Sequence, residues 1–228
     1  KQSPEAMRKL VDNLVAATHA METRTKDLEA DLQRSSQSVS ELKAKLDDVR
    51  KETLTDVLTG IPNRKAFDLE LDRAIEQARA EQTALCLFMC DIDHFKRFND
   101  TFGHQTGDQV LRLVGGCLAE NVKGRDTAAR YGGEEFAVIL PQTALTDSVF
   151  VANTIRRAVE SKKLVKKTTG DILGSISISI GVAQLSPSDD KAGLIARADK
   201  CLYGAKRAGR NRVVCETDAE ALDHVDAA

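Results

Sequence analysis

The 228 residues, 42% of them hydrophobic, suffice for the core of one domain of ordinary size and leave an extension outside it. The 33 Lys and Arg residues nearly balance the 35 Asp and Glu residues, so the formal net charge is only -2. This balance excludes a global attraction to nucleic acid or to a membrane surface, and any polyanionic ligand must be bound locally.

The cysteines and the apolar runs indicate the compartment. The five cysteines form no C-x-x-C pair, which is typical of a reducing environment and predicts a cytoplasmic location. The longest apolar run, residues 84–90, is far shorter than the roughly 20 residues that cross a bilayer, so we expect no membrane contact from this segment. Because the sequence begins at Lys1 rather than at methionine, we expect a sensory domain upstream.

The first predicted element is one long helix, since residues 6–53 contain no Gly or Pro and are rich in helix-forming residues. Its apolar residues recur in alternating steps of three and four, the heptad spacing of a coiled coil. Between Leu28 and Leu32 four residues are inserted, a stutter that locally unwinds a left-handed supercoil. The predicted seam consists of Met7, Leu10, Leu14, Ala17, Met21, Arg24 and Leu28, then Leu32, Ser35, Val39, Leu42, Leu46 and Val49.

Two interpretations of this helix remain open. A single amphipathic helix could pack on a missing domain, but a narrow stripe over so many turns favours a two-stranded coiled coil. We therefore expect residues 1–52 to form a homodimer. The heptads do not fix the direction of the second helix, and a parallel coiled coil is expected only because the function implied below requires two domains at one end.

Residues 53–216 alternate between helical and strand-like patterns, which predicts an α/β domain with a mixed central sheet flanked by helices. Residues 217–228 form an acidic, alanine-rich tail that we expect to be flexible. The predicted helices lie near residues 64–81, 108–121, 144–161 and 191–207. The predicted strands are Ala84–Cys90, Thr127–Tyr131, Glu135–Leu140 and Ser175–Ala183.

Two acids follow the first apolar strand. Side chains alternate along a strand, so Asp91 and Asp93 share one face, while Ile92 stays in the core with its carbonyl available near the strand end. A D-x-D pattern alone is more often a cap of the following turn than a metal site.

Two further acids follow Gly132 and Gly133, between two strand-like runs. We predict a tight hairpin in which the glycines adopt positive φ and allow phosphates to approach the backbone. At most one of Glu134 and Glu135 shares the face of Asp91 unless the turn twists the chain. A solvated hairpin tip is the simpler interpretation, but together the two segments can gather carboxylates at one point. Oxygen ligands without His or Cys favour Mg²⁺ or Mn²⁺.

Two polar segments complete the pattern. Residues 95–108 are predicted to form a glycine-punctuated loop, in which Asp108 could simply cap the next helix and Asn99 and His104 could be ordinary turn residues. Residues 203–212 form a basic helix end, where the helix dipole explains some but not all of the positive charges.

Across residues 53–216 these motifs resemble the GGDEF family of diguanylate cyclases. Residues 56–64 resemble its D-x-L-T-G-x-x-N-R motif, residues 91–108 its D-x-D-x-F-K-x-x-N-D-x-x-G-H-x-x-G-D stretch, and residues 132–136 are a GGEEF variant of its signature. The resemblance implies the fold of nucleotidyl cyclase and polymerase palm domains.

The resemblance also implies roles for individual residues. Asp91, the carbonyl of Ile92 and a signature glutamate would hold the metal; Glu134 is the candidate base and Glu135 the candidate metal ligand, although the two roles could exchange. A carboxylate at Asp108 can accept from guanine N1–H and the 2-amino group, which makes GTP the expected substrate. The implied substrate-binding residues are Phe95, Lys96, Asn99, His104, Asp108, Gly132, Gly133, Lys206 and Arg210.

The implied reaction joins two GTP molecules, held by two facing domains, into cyclic di-GMP. A catalytically inactive receptor, a cyclase with a mixed purine product and a coiled-coil scaffold are the alternatives. One departure concerns product inhibition, for which the family uses R-x-x-D: this chain has Lys123 and Asp126 at the two motif positions, and weak or absent feedback is expected unless Arg125 substitutes.

Overall fold

The computed structural model describes residues 4–165 and 172–218, and the chain divides into two compact units with the boundary between Thr53 and Leu54. The long helix is present as α1, Pro4–Leu54, as predicted. Its seam residues include well-exposed apolar side chains, such as Leu14 at 68% and Leu42 at 61%. Among the described residues, no helix is both long and apolar enough to span a bilayer.

The second unit is an α/β fold with a mixed sheet, as predicted. Its main sheet has the strand order β2-β3-β1-β6-β7, in which neighbouring strands are antiparallel except for β6 and β7. A separate antiparallel pair is formed by β4 and β5. The helices are α2 Arg64–Glu81, α3 Phe95–Phe102, α4 His104–Asn121, α5 Leu145–Glu160 and α6 Lys191–Arg207. The strands are β1 Leu85–Ile92, β2 Thr127–Arg130, β3 Glu135–Pro141, β4 Lys163–Val165, β5 Ile172–Ser175, β6 Ile178–Gln184 and β7 Val213–Cys215.

Strand β1 lies at the centre of the sheet and is buried along its whole length. Alternate side chains enter two different cores: Phe88 belongs to the core that includes residues of α4 and α5, whereas Leu87 belongs to the core that includes residues of α2 and α6. Burial on both faces explains why the strand is a continuous apolar run rather than an alternating one. Its carboxyl end therefore delivers Asp91 to the edge of a rigid core.

Helix α6 lies directly on strand β6 at Gly181. A Cβ atom at this position would lie 2.0 Å from the backbone nitrogen of Leu202 and 2.2 Å from the carbonyl oxygen of Ala198. Such distances are far below van der Waals contact, so only glycine permits the helix to pack this closely on the sheet.

Three expectations about local structure are wrong. Residues 95–102 form helix α3 rather than a loop, and Phe98 and Phe102 lie one turn apart with ring centroids 4.8 Å from each other. Helix α4 begins at His104, so Asp108 lies within the helix and does not cap it. The predicted strand Ser175–Ala183 is interrupted, because β5 ends at Ser175 and β6 begins at Ile178. The predicted tail lies mostly outside the described residues.

Candidate active site

Strands β1 and β3 bring the acids of the two predicted segments together. In the antiparallel register Asp91 is paired with Glu135, so the two side chains lie on the same face of the sheet. One residue further, the amide of Ile92 donates to the carbonyl oxygen of Glu134 at 3.3 Å, which places Ile92 opposite the hairpin. Of the two glutamates, Glu135 is therefore the one that faces Asp91.

A lysine from α6 contacts the buried aspartate. The Nζ atom of Lys206 lies 2.8 Å from Oδ2 of Asp91, whose side chain is only 8% exposed. Burial raises the pKa of Asp91, and the neighbouring Glu135 and Asp93 raise it further, while the hydrogen bond and charge of Lys206 oppose the shift. Burial therefore disfavours the charged form of this carboxylate, and a neighbouring cation favours it.

The pKa of Glu134 is raised as well. Its partial burial is the main cause, and the negative charge of Asp91 adds to it, while Lys206 acts in the opposite direction. A carboxylate with a raised pKa is a stronger base than one in water. Glu134 thus has the electrostatic setting of a proton acceptor next to the pair Asp91 and Glu135.

The hairpin glycines do not adopt the predicted backbone conformation, while the approach of phosphates to them stays a prediction. The residues of the chain with positive φ include neither Gly132 nor Gly133. A Cβ atom on Gly132 would lie 2.7 Å from Oε2 of Glu135, so the glycine is needed because the glutamate folds back over it. At Gly133 an added Cβ would meet nothing within 4 Å. The hairpin thus leaves open space above Gly133.

The oxygen ligands fit a metal that is completed by substrate. Within residues 4–165 and 172–218, no three His, Cys, Asp or Glu side chains are placed to hold a metal ion by themselves. Mg²⁺, however, is usually bound by only one or two carboxylates together with substrate phosphates. Asp91 and Glu135 supply two carboxylates on one face, and the Lys206 ammonium on Asp91 is a cation at this point.

Asn99 and Asp108, two of the predicted substrate-binding residues, lie on α3 and α4. The Oδ1 atom of Asn99 is buried and has no hydrogen-bond partner within the described part of the chain. It lies against Gly107, where an added Cβ would come within 1.9 Å of it. Asp108 is the next residue of α4 and is half-buried. The packing of Asn99 against Gly107 therefore brings an amide next to the Asp108 carboxylate, and both kinds of group can hydrogen-bond a base.

The remaining predicted substrate ligands surround these two clusters. Phe95 is buried in the core at the start of α3, whereas Lys96 and His104 are exposed. Arg210 follows the end of α6 and has a φ of 64°, after Gly209 with a φ of 111°. The contacts of the side chains of Lys96, His104 and Arg210 with a nucleotide stay predictions.

The two residues of the predicted feedback motif lie away from the hairpin. Lys123 is exposed and Asp126 is half-buried, and both precede β2, at the opposite end of that strand from Gly132. Arg125, the predicted substitute, donates to Oε1 of Gln142 at 2.6 Å. Weak feedback inhibition therefore stays a prediction.

Two residues without an assigned role from the sequence connect the hairpin to the start of the α/β unit. The Nη1 atom of Arg130 lies 3.1 Å from both carboxylate oxygens of Asp56, and its Nη2 atom donates to the carbonyl oxygen of Gly133 at 2.7 Å. Asp56 also accepts from the backbone and hydroxyl of Thr59. Asp56 opens the first of the family motifs and Arg130 precedes the GGEEF signature, but 74 positions separate them, so only the fold reveals the pair.

A third residue missed by the sequence reasoning is Asp199 on α6. Burial raises its pKa, the charge of Glu135 raises it further and Lys206 opposes the shift, which places Asp199 in the electrostatic field of the site. Its position seven residues before Lys206, on the same face of the helix, is the signal that could have indicated it.

We expect Asp56→Asn to lower the free energy of unfolding by about 2 kcal/mol at neutral pH. Burial alone would raise the pKa of Asp56, but hydrogen bonds from Thr59 and Arg130 together hold it below the ordinary value. A lowered folded-state pKa stabilises the protein above the ordinary pKa and loses that effect as the pH falls through the folded-state value. Urea unfolding should therefore show a difference between variant and parent that disappears at acidic pH.

The control for this measurement is Asp72→Asn, which removes a carboxylate 2.9 Å from Lys191 on the surface. Exposed ion pairs of this kind contribute about 0–1 kcal/mol. A difference for Asp56→Asn that stays constant from neutral pH to about pH 2 would contradict the assigned ion pair.

Comparison with known proteins identifies the family. The sequence profile described as "Diguanylate cyclase, GGDEF domain" matches residues 53–212. Diguanylate cyclase VdcA of Vibrio cholerae is 37% identical over 212 residues, which cover 93% of this chain and 61% of VdcA. The chain spans only 25% to 61% of the length of the first curated relatives that it matches.

Two solved structures include more than the α/β unit. The coiled coil and GGDEF domain of DgcB from Caulobacter crescentus, in complex with c-di-GMP, has a TM-score of 0.77 and 45% identity, covering 82% of this chain and 98% of that one. Diguanylate cyclase SiaD of Pseudomonas aeruginosa, in complex with its activator SiaC, has a TM-score of 0.75 and 30% identity, covering 92% and 79%. With the matching profile, these relatives show that the chain belongs to the GGDEF-domain family of diguanylate cyclases.

Proposed function

We propose that this chain is a diguanylate cyclase that condenses two GTP molecules into cyclic di-GMP and releases two pyrophosphates. The observation that carries the proposal is the pairing of Asp91 with Glu135 across β1 and β3, with the Lys206 ammonium 2.8 Å from Asp91. Curated relatives named as diguanylate cyclases and a similar structure that contains c-di-GMP support the same activity. The buried, unpaired cysteines are consistent with a cytoplasmic location.

The reaction consists of two equivalent transfers. In each, the 3′-oxygen of one GTP attacks the α-phosphorus of the other, a new phosphodiester bond forms, and the bond to the β-phosphate oxygen breaks to release pyrophosphate. The proton of the 3′-hydroxyl passes to a base, for which Glu134 is suited by its raised pKa. Alignment of the two nucleotides supplies much of the acceleration.

Members of this family generally use a divalent metal ion. We assign Mg²⁺ or Mn²⁺ to the carboxylates of Asp91 and Glu135 and the carbonyl of Ile92, with Glu134 as an additional ligand if the roles of the two glutamates exchange. When bound, the ion neutralises charge on the triphosphate and lowers the pKa of the attacking hydroxyl. Lys206, which contacts Asp91 in this structure, would then be available to the phosphates, and Arg210 would add a second positive charge.

Guanine recognition is assigned to Asn99 and Asp108. Asn99 lies next to Asp108 through its packing on Gly107, and an amide oxygen can accept from a guanine 2-amino group. The Asp108 carboxylate can accept from N1–H in addition, whereas adenine presents an acceptor at N1. The substrate of the proposed reaction is therefore GTP.

Two GTP molecules must face each other, so the proposed enzyme is a homodimer held by a parallel coiled coil of α1. The exposed apolar side chains of its predicted seam support this assembly, because an isolated helix with so many of them leaves much apolar surface in water. A sensory domain preceding α1 would control how the two halves meet.

We expect Leu14→Glu or Leu42→Glu to weaken dimerisation at least tenfold. In the proposed seam each of these positions buries a leucine from both chains, whereas the glutamate variants place like charges opposite each other. Sedimentation equilibrium measures the change. The control is Val15→Glu, which replaces an apolar side chain that is 50% exposed but lies off the predicted seam. Equal dimer affinities for the seam variants and the parent would contradict the coiled-coil dimer.

Incubation with GTP and Mg²⁺, followed by mass spectrometry of the products, tests the function. Formation of cyclic di-GMP that is lost in Glu134→Ala supports the cyclase. Tight GTP binding without any dinucleotide product would contradict the cyclase and favour the inactive receptor. A product that incorporates ATP would indicate a cyclase that makes a mixed dinucleotide.

A further inference from the structure

The carboxylate of Asp93 follows the proposed metal ligands of β1 in the chain, but both of its oxygens already accept hydrogen bonds from protein groups. It follows β1 directly and is 9% exposed. Its Oδ1 accepts from the hydroxyl of Ser179 at 2.6 Å, and its Oδ2 accepts from the hydroxyl of Ser177 at 2.6 Å and from the backbone amide of Asn211 at 3.0 Å. With three donors on two oxygens, Asp93 is arranged to hold protein groups rather than an ion.

The amide that Asp93 holds belongs to an unusual loop. Gly209, Arg210 and Asn211 have φ values of 111°, 64° and 46°, so three consecutive residues lie in the left-handed region. For arginine this region is unfavourable and persists only where surrounding contacts impose it. The loop turns the chain from α6 into β7, and Arg210 stands at its centre.

The side chain of Asn211 is fixed from the opposite side by α5. Its Nδ2 donates to Oε1 of Glu160 at 2.7 Å, and its Oδ1 accepts from Nη1 of Arg156 at 2.8 Å. Arg156 and Glu160 also pair with each other at 2.9 Å, and the Arg156 side chain is only 14% exposed. Both the backbone and the side chain of Asn211 are therefore held by charged partners.

We propose that Asp93 is a positioning residue which, through Asn211, holds Arg210 in its left-handed conformation and so presets the cation that binds the triphosphate. The inference rests on the proposed function, because it takes Arg210 as a phosphate ligand. The Arg210 amide donates to the carbonyl oxygen of Ala205 at 3.0 Å, so the contact to Asp93 restrains the loop on its other side, at Asn211. Without that contact the loop would sample more conformations around Arg210, and part of the binding energy would be lost in ordering it again. The second aspartate of the D-x-D pattern thus acts on substrate affinity and not as a metal ligand.

The test compares Asp93→Asn with the parent, using as probes a GTP analogue with a methylene group between the α- and β-phosphorus atoms and guanosine alone, both with Mg²⁺. The variant keeps the shape of the side chain but loses its charge and one acceptor. We expect the analogue to bind roughly tenfold more weakly in calorimetric titration, the change that 1.4 kcal/mol produces, while guanosine affinity is unchanged. Asn211→Gly tolerates the positive φ but loses the side-chain contacts to Arg156 and Glu160, so it should also weaken analogue binding, and it tests the fixed loop if Asp93→Asn does not fold.

A double-mutant cycle with Arg210→Ala separates positioning from general destabilisation. If Asp93 acts through Arg210, adding Asp93→Asn to Arg210→Ala has no further effect on analogue affinity. Asp189→Asn removes a similarly buried carboxylate that accepts from the amide of Ser186, and it should lower the melting temperature without changing analogue affinity. Equal loss of analogue and guanosine binding, unchanged analogue binding, or a full effect in the Arg210→Ala background would overturn the inference. Failure of the parent protein to bind the analogue would instead contradict the proposed function on which this inference rests.

Discussion

Glu135→Gln is expected to lower the rate of cyclic di-GMP formation about 10³-fold and to raise the metal concentration needed for half-maximal activity. Glu135 is the hairpin glutamate paired with Asp91 across the sheet, so its loss removes one of two carboxylates on the face assigned to the metal. Steady-state rates measured over a range of Mg²⁺ and Mn²⁺ concentrations check this, and higher metal concentrations should recover part of the activity.

Glu134→Gln is the companion variant, and Glu120→Gln is the control. Loss of a general base lowers rates by about 10²- to 10⁴-fold, and added metal should not recover them. Glu120 is exposed near the end of α4, and its replacement should leave the rate unchanged. If metal instead rescues Glu134→Gln and not Glu135→Gln, the two assignments are reversed.

Asp108→Asn is expected to lower kcat/KM for GTP by about 10²- to 10³-fold, because two donors of the base lose a charged acceptor. The preference for GTP over ATP should shrink by a similar factor, since the amide can both donate and accept. Measuring kcat/KM for both nucleotides tests this. Asp100→Asn, at an exposed position of α3, is the control, and an unchanged GTP-to-ATP ratio in Asp108→Asn would exclude Asp108 from guanine recognition.

The positions of the chemistry-bearing segments could be predicted from the sequence, but their pairing could not. Alternation along a strand shows that only one hairpin glutamate shares the face of Asp91. Which one it is depends on the register of β1 and β3, and the register is a property of two distant segments together. The same holds for the ion pair between Asp56 and Arg130.

The wrong expectations have local physical reasons. The polar residues and Gly103 favour a loop over residues 95–108. The helical spacing of Phe95, Phe98 and Phe102 favours a helix instead, and it is this spacing that agrees with α3. At Gly132 the general preference of glycine for positive φ predicts the wrong backbone conformation. The structure instead requires a missing Cβ atom, because the carboxylate of Glu135 occupies that space, and no local rule reveals such a contact.

The absence of clearance at Gly181 has a mechanical consequence. Helix α6 carries Lys206 and leads into the Arg210 loop, and it packs so closely on β6 that even a methyl group at Gly181 would collide with its backbone. The position of Lys206 is thus tied to the sheet through the close packing of its helix. In the proposed homodimer, activity would then be controlled by how the two domains meet rather than by a change of shape within either one.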